Sequence, residues 1–178
     1  MKLIIGLGNP GTQYKDTRHN AGFLFLDALR AHYNFPQPAL AKKFNALITQ
    51  GFDDANEKII LAAPQTFMNH SGRSVRVLAD FYKIPPEELI VAHDDLDIII
   101  GAYKIAQDAG PAGHNGVQNI IDTLGTQNFT RIRIGVEKKD GRAARGAISG
   151  HDFVLQKFTN TEMAILQKTF TAIIRELF

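Results

Sequence analysis

Apolar and polar positions follow two periods along this chain. Lys2–Leu7 opens with a short apolar run that fits a buried strand. A polar loop extends from Gly8 to about Arg18. From Asn20 to about Tyr33, Phe23, Leu26, Leu29 and Tyr33 recur at helical spacing, and Pro36 and Pro38 close the segment. Phe44–Gln50 and Lys58–Ala63 read as strands joined by the polar turn Asp53–Asn56. Met68 to Phe81 has the helical period, with Val75, Leu78 and Phe81 or Tyr82 facing inward. Leu89–His93 reads as a strand that runs into acids, and Ala102–Ala106 as another. Val117–Leu124 fits a short helix closed by Gly125. Thr130–Val136 alternates strictly, the period of a strand. Thr159 and Glu162 have the spacing of a capping box. They open a last helix with the stripe Met163, Leu166, Phe170, Ile173, Ile174 and Leu177. Strands interleave with helices throughout. The expected architecture is α/β: one domain over residues 1–178, a three-layer αβα sandwich around a twisted mixed β-sheet.

Composition narrows the chemistry. The chain has 178 residues and no cysteine, which excludes disulfides, thiolate metal sites and a cysteine nucleophile. No apolar stretch approaches the ~20 residues of a membrane span, and the opening MKLIIGLGNPG is too short in its apolar part for a signal peptide. A cytoplasmic location is the expectation. The net charge is only +2, but residues 131–157 hold seven basic residues against three acids, an excess of four. That bias favours an anionic partner such as a phosphate backbone, although scattered charges on a solvated loop read the same way.

Gly6-Leu7-Gly8-Asn9-Pro10-Gly11 matches the dinucleotide-binding G-x-G-x-x-G pattern after a strand. Its context argues against that function. Thr12–His19 delays the helix whose N-terminus should face a pyrophosphate. Pro10 removes a backbone donor, and no acid ends a second strand about 20 residues on. Asn9 is left at a strand's carboxyl end, where open α/β sheets bind ligands.

Polar groups gather at comparable places: Asn9, Arg18-His19-Asn20, Phe67-Met68-Asn69 with His70, His93-Asp94-Asp95 with Asp97, and Gly113-His114-Asn115-Gly116. Asn20, Asn69 and Asn115 each suit a helix N-cap. His19 titrates near neutrality and is a candidate base, or an exposed loop residue. The acids after His93 suggest a divalent ion, but the spacing fits no standard metal loop. With no G-x-S-x-G and no Cys, a His–Asp pair is suited to activating water directly.

Taken in order, the motifs KLIIGLGNPG (Lys2–Gly11), Tyr14, TRHNAG (Thr17–Gly22), TFMNHSG (Thr66–Gly72), VAHDDLD (Val91–Asp97), GHNG (Gly113–Gly116), RIRIG (Arg131–Gly135) and FVL (Phe153–Leu155) cover nearly the whole chain. Together they resemble the bacterial peptidyl-tRNA hydrolases. The resemblance implies hydrolysis of the ester between a peptide's C-terminus and the 3′ ribose of tRNA, by a monomer without metal or cofactor. It implies His19 as general base, Asp94 as its orienting partner, Asn9 as a discriminator of blocked from free aminoacyl groups, and Asn69 beside the reacting carbonyl. Tyr14, Phe67, Asn69, His114 and Asn115 match substrate-contacting positions. Arg131 and Arg133, two apart on one strand and so on one face, are the candidate tRNA-phosphate contacts, with Lys104 nearby. An alternative class is an RNA-binding module that kept the fold without the chemistry; another is the nucleotide-dependent oxidoreductase. Two departures stand out. Gln107-Asp108-Ala109-Gly110-Pro111-Ala112 replaces a glycine-rich run, so Pro111 should stiffen a cleft loop and Asp108 add negative charge near an anionic substrate. The chain also ends at Phe178, earlier than many such proteins, which predicts a reduced grip on tRNA.

Overall fold

The computed structural model describes all 178 residues. Seven strands form one sheet in the order β2-β3-β4-β1-β5-β7-β6. Its centre is parallel: β1 (Lys2–Gly6) lies between β4 (Lys58–Pro64) and β5 (Leu89–Ile99), and β5 pairs in parallel with β7 (Thr130–Glu137). The edges are antiparallel: β2 (Ala39–Ala41) and β3 (Ala46–Phe52) on one side, β6 (Tyr103–Gln107) on the other.

The uninterrupted apolar run of β1 follows from burial on both faces. Ile4 packs with α1 (Ala21–His32) and α5 (Asn160–Leu177), in a core that includes Phe25, Leu29, Phe170 and Ile173. Leu3, Ile5 and Leu7 pack on the other face against α2 (Ser71–Tyr82) and α3 (Asn115–Leu124), through Val75, Leu78, Val117 and Ile120. The layers are therefore α, mixed β and α, as the interleaved periods predict. The Thr159–Glu162 capping box forms in full, and Gly125 ends α3 in the left-handed region.

Several boundaries differ from the periodic pattern for identifiable reasons. β5 continues past His93 to Ile99, because Asp94 and Asp95 both find partners there and do not need solvent. A short 3-10 turn, Met68–His70, precedes α2 and carries Asn69 outside the helix proper. β2 and the five-residue α4 (Gly150–Val154) are too short to leave a periodic signal.

Two glycines set the geometry that matters for function. A Cβ on Gly22 would lie 2.3 Å from the Ala92 carbonyl oxygen and 2.4 Å from the Leu7 nitrogen, so only glycine lets the first turn of α1 rest on β1 and β5. This brings His19 against Asp94 in the middle of β5. A Cβ on Gly116 would lie 2.5 Å from the Met68 sulfur, so its absence lets the Asn69 turn pack on the start of α3.

Candidate active site

The carboxyl ends of β1, β4, β5 and β7 share one rim of the sheet, and the polar segments converge there. Asp94, on β5, is buried and central. Its Oδ1 lies 2.9 Å from His19 Nδ1 and 2.9 Å from His114 Nε2. Burial alone would raise the Asp94 pKa, but the charges and hydrogen bonds of His19 and His114 outweigh it and hold the carboxyl far below the usual range. An ionised Asp94 can only accept, so both imidazoles present N–H groups to it. His114 is further defined by the Val117 backbone N–H, which donates to its Nδ1 at 3.3 Å. In its neutral form His19, which lines the cleft, keeps its proton on Nδ1 toward Asp94 and leaves Nε2 as an acceptor. For His19, burial lowers the pKa; the charge and hydrogen bond of Asp94 together more than reverse this and raise it.

The loop that carries His19 is held from several sides. Arg18 is buried; its Nη1 donates to the Lys157 carbonyl at 2.7 Å, Nη2 bonds Glu162, and the guanidinium lies over the Phe153 ring. Asn20 does not cap α1. Its Oδ1 accepts from the Asn9 backbone N–H at 2.9 Å and its Nδ2 donates to the Asn9 carbonyl at 3.0 Å. Asn9 Oδ1 in turn accepts the Met68 N–H at 2.9 Å, which leaves its Nδ2 free to donate. The glycine-rich loop is thus a splint between three segments. The α3 N-cap is His114, and Asn115, one residue on, is exposed at the cleft.

The sequence-predicted residues fall into distinct groups. His19, Asp94, His114 and Asn115 line one cleft with Gly113, His151 and Val154. Asn9 lines the adjacent one with Gly11 and Lys15, beside the turn that carries Tyr14. Phe67 and Asn69 are exposed on the turn fastened to Asn9. Lys104 pairs across strands with Arg133, and Arg133 with His93, so a basic pair lies beside the cleft on β6 and β7. Arg133 Nε also bonds Asp95 Oδ2 at 2.6 Å.

Arg131 corrects the expectation for the basic strand. It is 1% exposed, level with Val91 deep in the sheet, and cannot meet a phosphate backbone. Burial, then the charge of Arg133, lowers its pKa against the opposing effect of Asp95. Arg145 is buried too, in an ion pair with Glu137 at 2.9 Å. The excess of positive charge after residue 130 is therefore only partly on the surface. His114 is buried on Asp94 and orients the carboxylate while it lines the cleft. The roles of two contributors had no readable signal. Arg18 acts through residues far along the chain, and His151 reaches the cleft on the short α4.

His19, Asp94 and His114 place three potential metal-ligand atoms within 4.8 Å of one another. His19 Nδ1 and His114 Nε2 are both bound to Asp94 Oδ1, so an ion taken by those nitrogens would displace the hydrogen bonds that define the histidine orientations. The arrangement suits an oriented base with amide donors around it.

Comparison with known proteins agrees with this geometry. The family model described as peptidyl-tRNA hydrolase matches residues 3–177. The chain belongs to the peptidyl-tRNA hydrolase family. It is 44% identical over 172 residues to the peptidyl-tRNA hydrolase of Mycoplasma mycoides, covering 96% of this chain and 87% of that protein. The enzyme of Desulfitobacterium hafniense is 44% identical over 168 residues, with 94% and 86% covered. The crystal structure of peptidyl-tRNA hydrolase from Acinetobacter baumannii superposes with a TM-score of 0.86 at 33% identity, covering 99% of this chain and 86% of that one.

Proposed function

We propose that this peptidyl-tRNA hydrolase cleaves the ester between the peptide and the 3′ ribose with a water activated by His19. The observation that carries the reading is the Asp94 hydrogen bond to His19 Nδ1, which leaves Nε2 as the acceptor at the cleft. Nε2 takes a proton as the water oxygen attacks the ester carbonyl. The developing oxyanion needs donors, and the free Nδ2 of Asn9 and the exposed amides of Asn69 and Asn115 are available at this rim. Collapse of the tetrahedral intermediate breaks the bond to the ribose oxygen, which takes the proton back from His19. Asp94 stabilises the imidazolium meanwhile, and His114 holds Asp94. An amide-rich rim also suits a peptide backbone, whose donors and acceptors repeat whatever the side chains.

In this reading Arg133 and Lys104 meet a tRNA phosphate, and Tyr14 and Phe67 border the acyl half of the substrate. The enzyme acts as a cytoplasmic monomer without metal or cofactor. No helix of the structure is long and apolar enough to cross a membrane. The test is release of N-acetyl-amino acid from N-acetyl-aminoacyl-tRNA in EDTA, with unblocked aminoacyl-tRNA in parallel. Cleavage of the blocked substrate alone is expected. Loss of activity in EDTA would remove the metal-free mechanism, and cleavage of neither substrate by cooperatively melting protein would replace it with an RNA-binding role.

A further inference from the structure

A second groove opens on the same rim, between the start of β3, the end of β4 and the first turns of α2. At about 1080 Å³ it is larger than the cleft at His19, about 540 Å³. Lys42, Lys43 and Arg73 line it, and none of its lining residues is acidic. Lys42 and Arg73 are exposed and have no ion-pair partner in the protein, whereas the next arginine on α2, Arg76, pairs with Asp80 at 2.9 Å. Lys43 is anchored, its Nζ 3.6 Å from the Phe81 ring centroid. The wall beneath the cations is apolar at Phe44 and Val77, and Phe67 stands at the mouth, 56% exposed. Thr66 Oγ1, on the lining, is buried with no hydrogen-bond partner.

The groove's place relative to the reaction centre decides what fits it. Lys104 and Arg133 lie on β6 and β7, to one side of β5 and Asp94. The groove lies to the other side, at β3 and β4, and Phe67 joins it to Met68, which is bonded to Asn9. An ester at His19 divides its substrate into a tRNA half and an acyl half. With the tRNA phosphate at Arg133, the acyl half runs toward Asn9, Phe67 and the groove. Unneutralised cations over an apolar wall with an aromatic at the entrance offer an extended chain both side-chain burial and a charge preference.

We propose that this groove is a peptide subsite that favours acidic side chains upstream of the ester. The inference rests on the peptidyl-tRNA hydrolase mechanism above for the direction of the acyl chain. The exposed position of the cations makes the preference modest and salt-dependent.

The experiment uses one tRNA carrying peptides with the same C-terminal residue and a run of Glu, Ala or Lys upstream. At low salt the Glu peptide should show a KM about 3–10-fold below that of the Lys peptide, with kcat little changed, the size expected of a few exposed charge pairs. The K42E/R73E variant should invert that order, and high salt should erase it. N-acetyl-aminoacyl-tRNA has no upstream residue and reports the ester site alone. An equal loss on that short substrate and on all three peptides would overturn the proposal in favour of a second tRNA contact. Identical KM values for the three peptides would overturn it outright. Failure of the hydrolase reading is separately visible, as absence of cleavage of the short substrate by the wild-type chain. In that case titration of the 15N-labelled protein with an acidic peptide amide still decides: shifts around Lys42–Asn45 and Thr66–Arg73 that vanish in K42E/R73E support the subsite, and their absence removes it.

Discussion

Asp94 and Arg133 sit on neighbouring strands at the same rim, yet their surroundings are built by opposite rules. Around Asp94 the polar groups are buried and bonded to one another: two imidazoles on one carboxylate oxygen, Asn20 bonded twice to Asn9, Asn9 bonded to Met68. Around Arg133 the groups are more open, with Lys104 exposed across the strand and Arg133 sharing its charge with Asp95. In the first region position is everything, because a buried group that loses its partner has no water to turn to. In the second, charge matters more than position, because solvent and ions can substitute. The buried region should govern kcat, and the edge should govern affinity and its salt dependence.

The largest effect should come from the buried region. His19→Ala is expected to lower kcat by about 10²–10⁴-fold, the usual worth of a general base, with tRNA affinity unchanged. A variant that keeps most of its turnover would break the division. Asp94→Asn should also lower kcat by about 10²-fold or more, since an amide can hold His19 in the wrong tautomer. The sign of its pH effect follows from the His19 shift. The base works when neutral, so activity rises with pH through the His19 pKa. Asp94 raises that pKa, so the acid limb should move to lower pH when the charge is removed. A pH–rate profile that stays in place counts against the assignment.

Next in size is Asn20→Ala. Losing two buried hydrogen bonds to the Asn9 backbone should cost about 1–3 kcal/mol, read as a lower Tm, together with a reduced kcat as Asn9 is released. Unchanged turnover would show that Asn9 needs no splint. Arg133→Ala should leave kcat nearly alone, weaken tRNA binding and reduce the salt slope by about one unit. The smallest effect is expected from Arg131→Met, which removes a buried charge without taking anything from the surface. Its salt slope should match the wild type and its Tm should stay or rise. A reduced slope there would show that the strand exposes both arginines.

Much of this fold is legible in local patterns of the chain. The double-faced burial of β1, the helical stripes of α1 and α5, the Gly125 terminus and the Thr159–Glu162 box are all of this kind. Each is carried by residues within a few positions of one another, and each forms, except that the α1 stripe shifts: Leu26 and Leu29 are buried with Phe25, while Phe23 lies outside the core. Of the site, His19 and Asp94 are readable as a candidate pair because their motifs fall at a helix start and a strand end. The roles of the neighbouring amides are not readable. Asn20 has the composition and position of an N-cap, and instead spends both ends of its amide on Asn9. His114 takes the capping role that Asn115 is suited to. A cap and a tertiary splint draw on the same side-chain chemistry, and only the approach of a second segment chooses between them.

The sequence by itself determined the alternation of elements, the sidedness of each and the motifs that come to the carboxyl rim, because periodicity acts over a few residues. Tertiary structure decided which side chains reach solvent. Arg131 and Arg133 share a strand and a face, so no local pattern separates them. One is level with Val91, inside the packed layers, and the other is level with His93, at the rim beside Asp95. The distance of a residue from the edge of the sheet depends on strands and helices contributed from elsewhere in the chain. Burial then converts that position into chemistry, making one arginine part of the interior and leaving the other at the edge of the site.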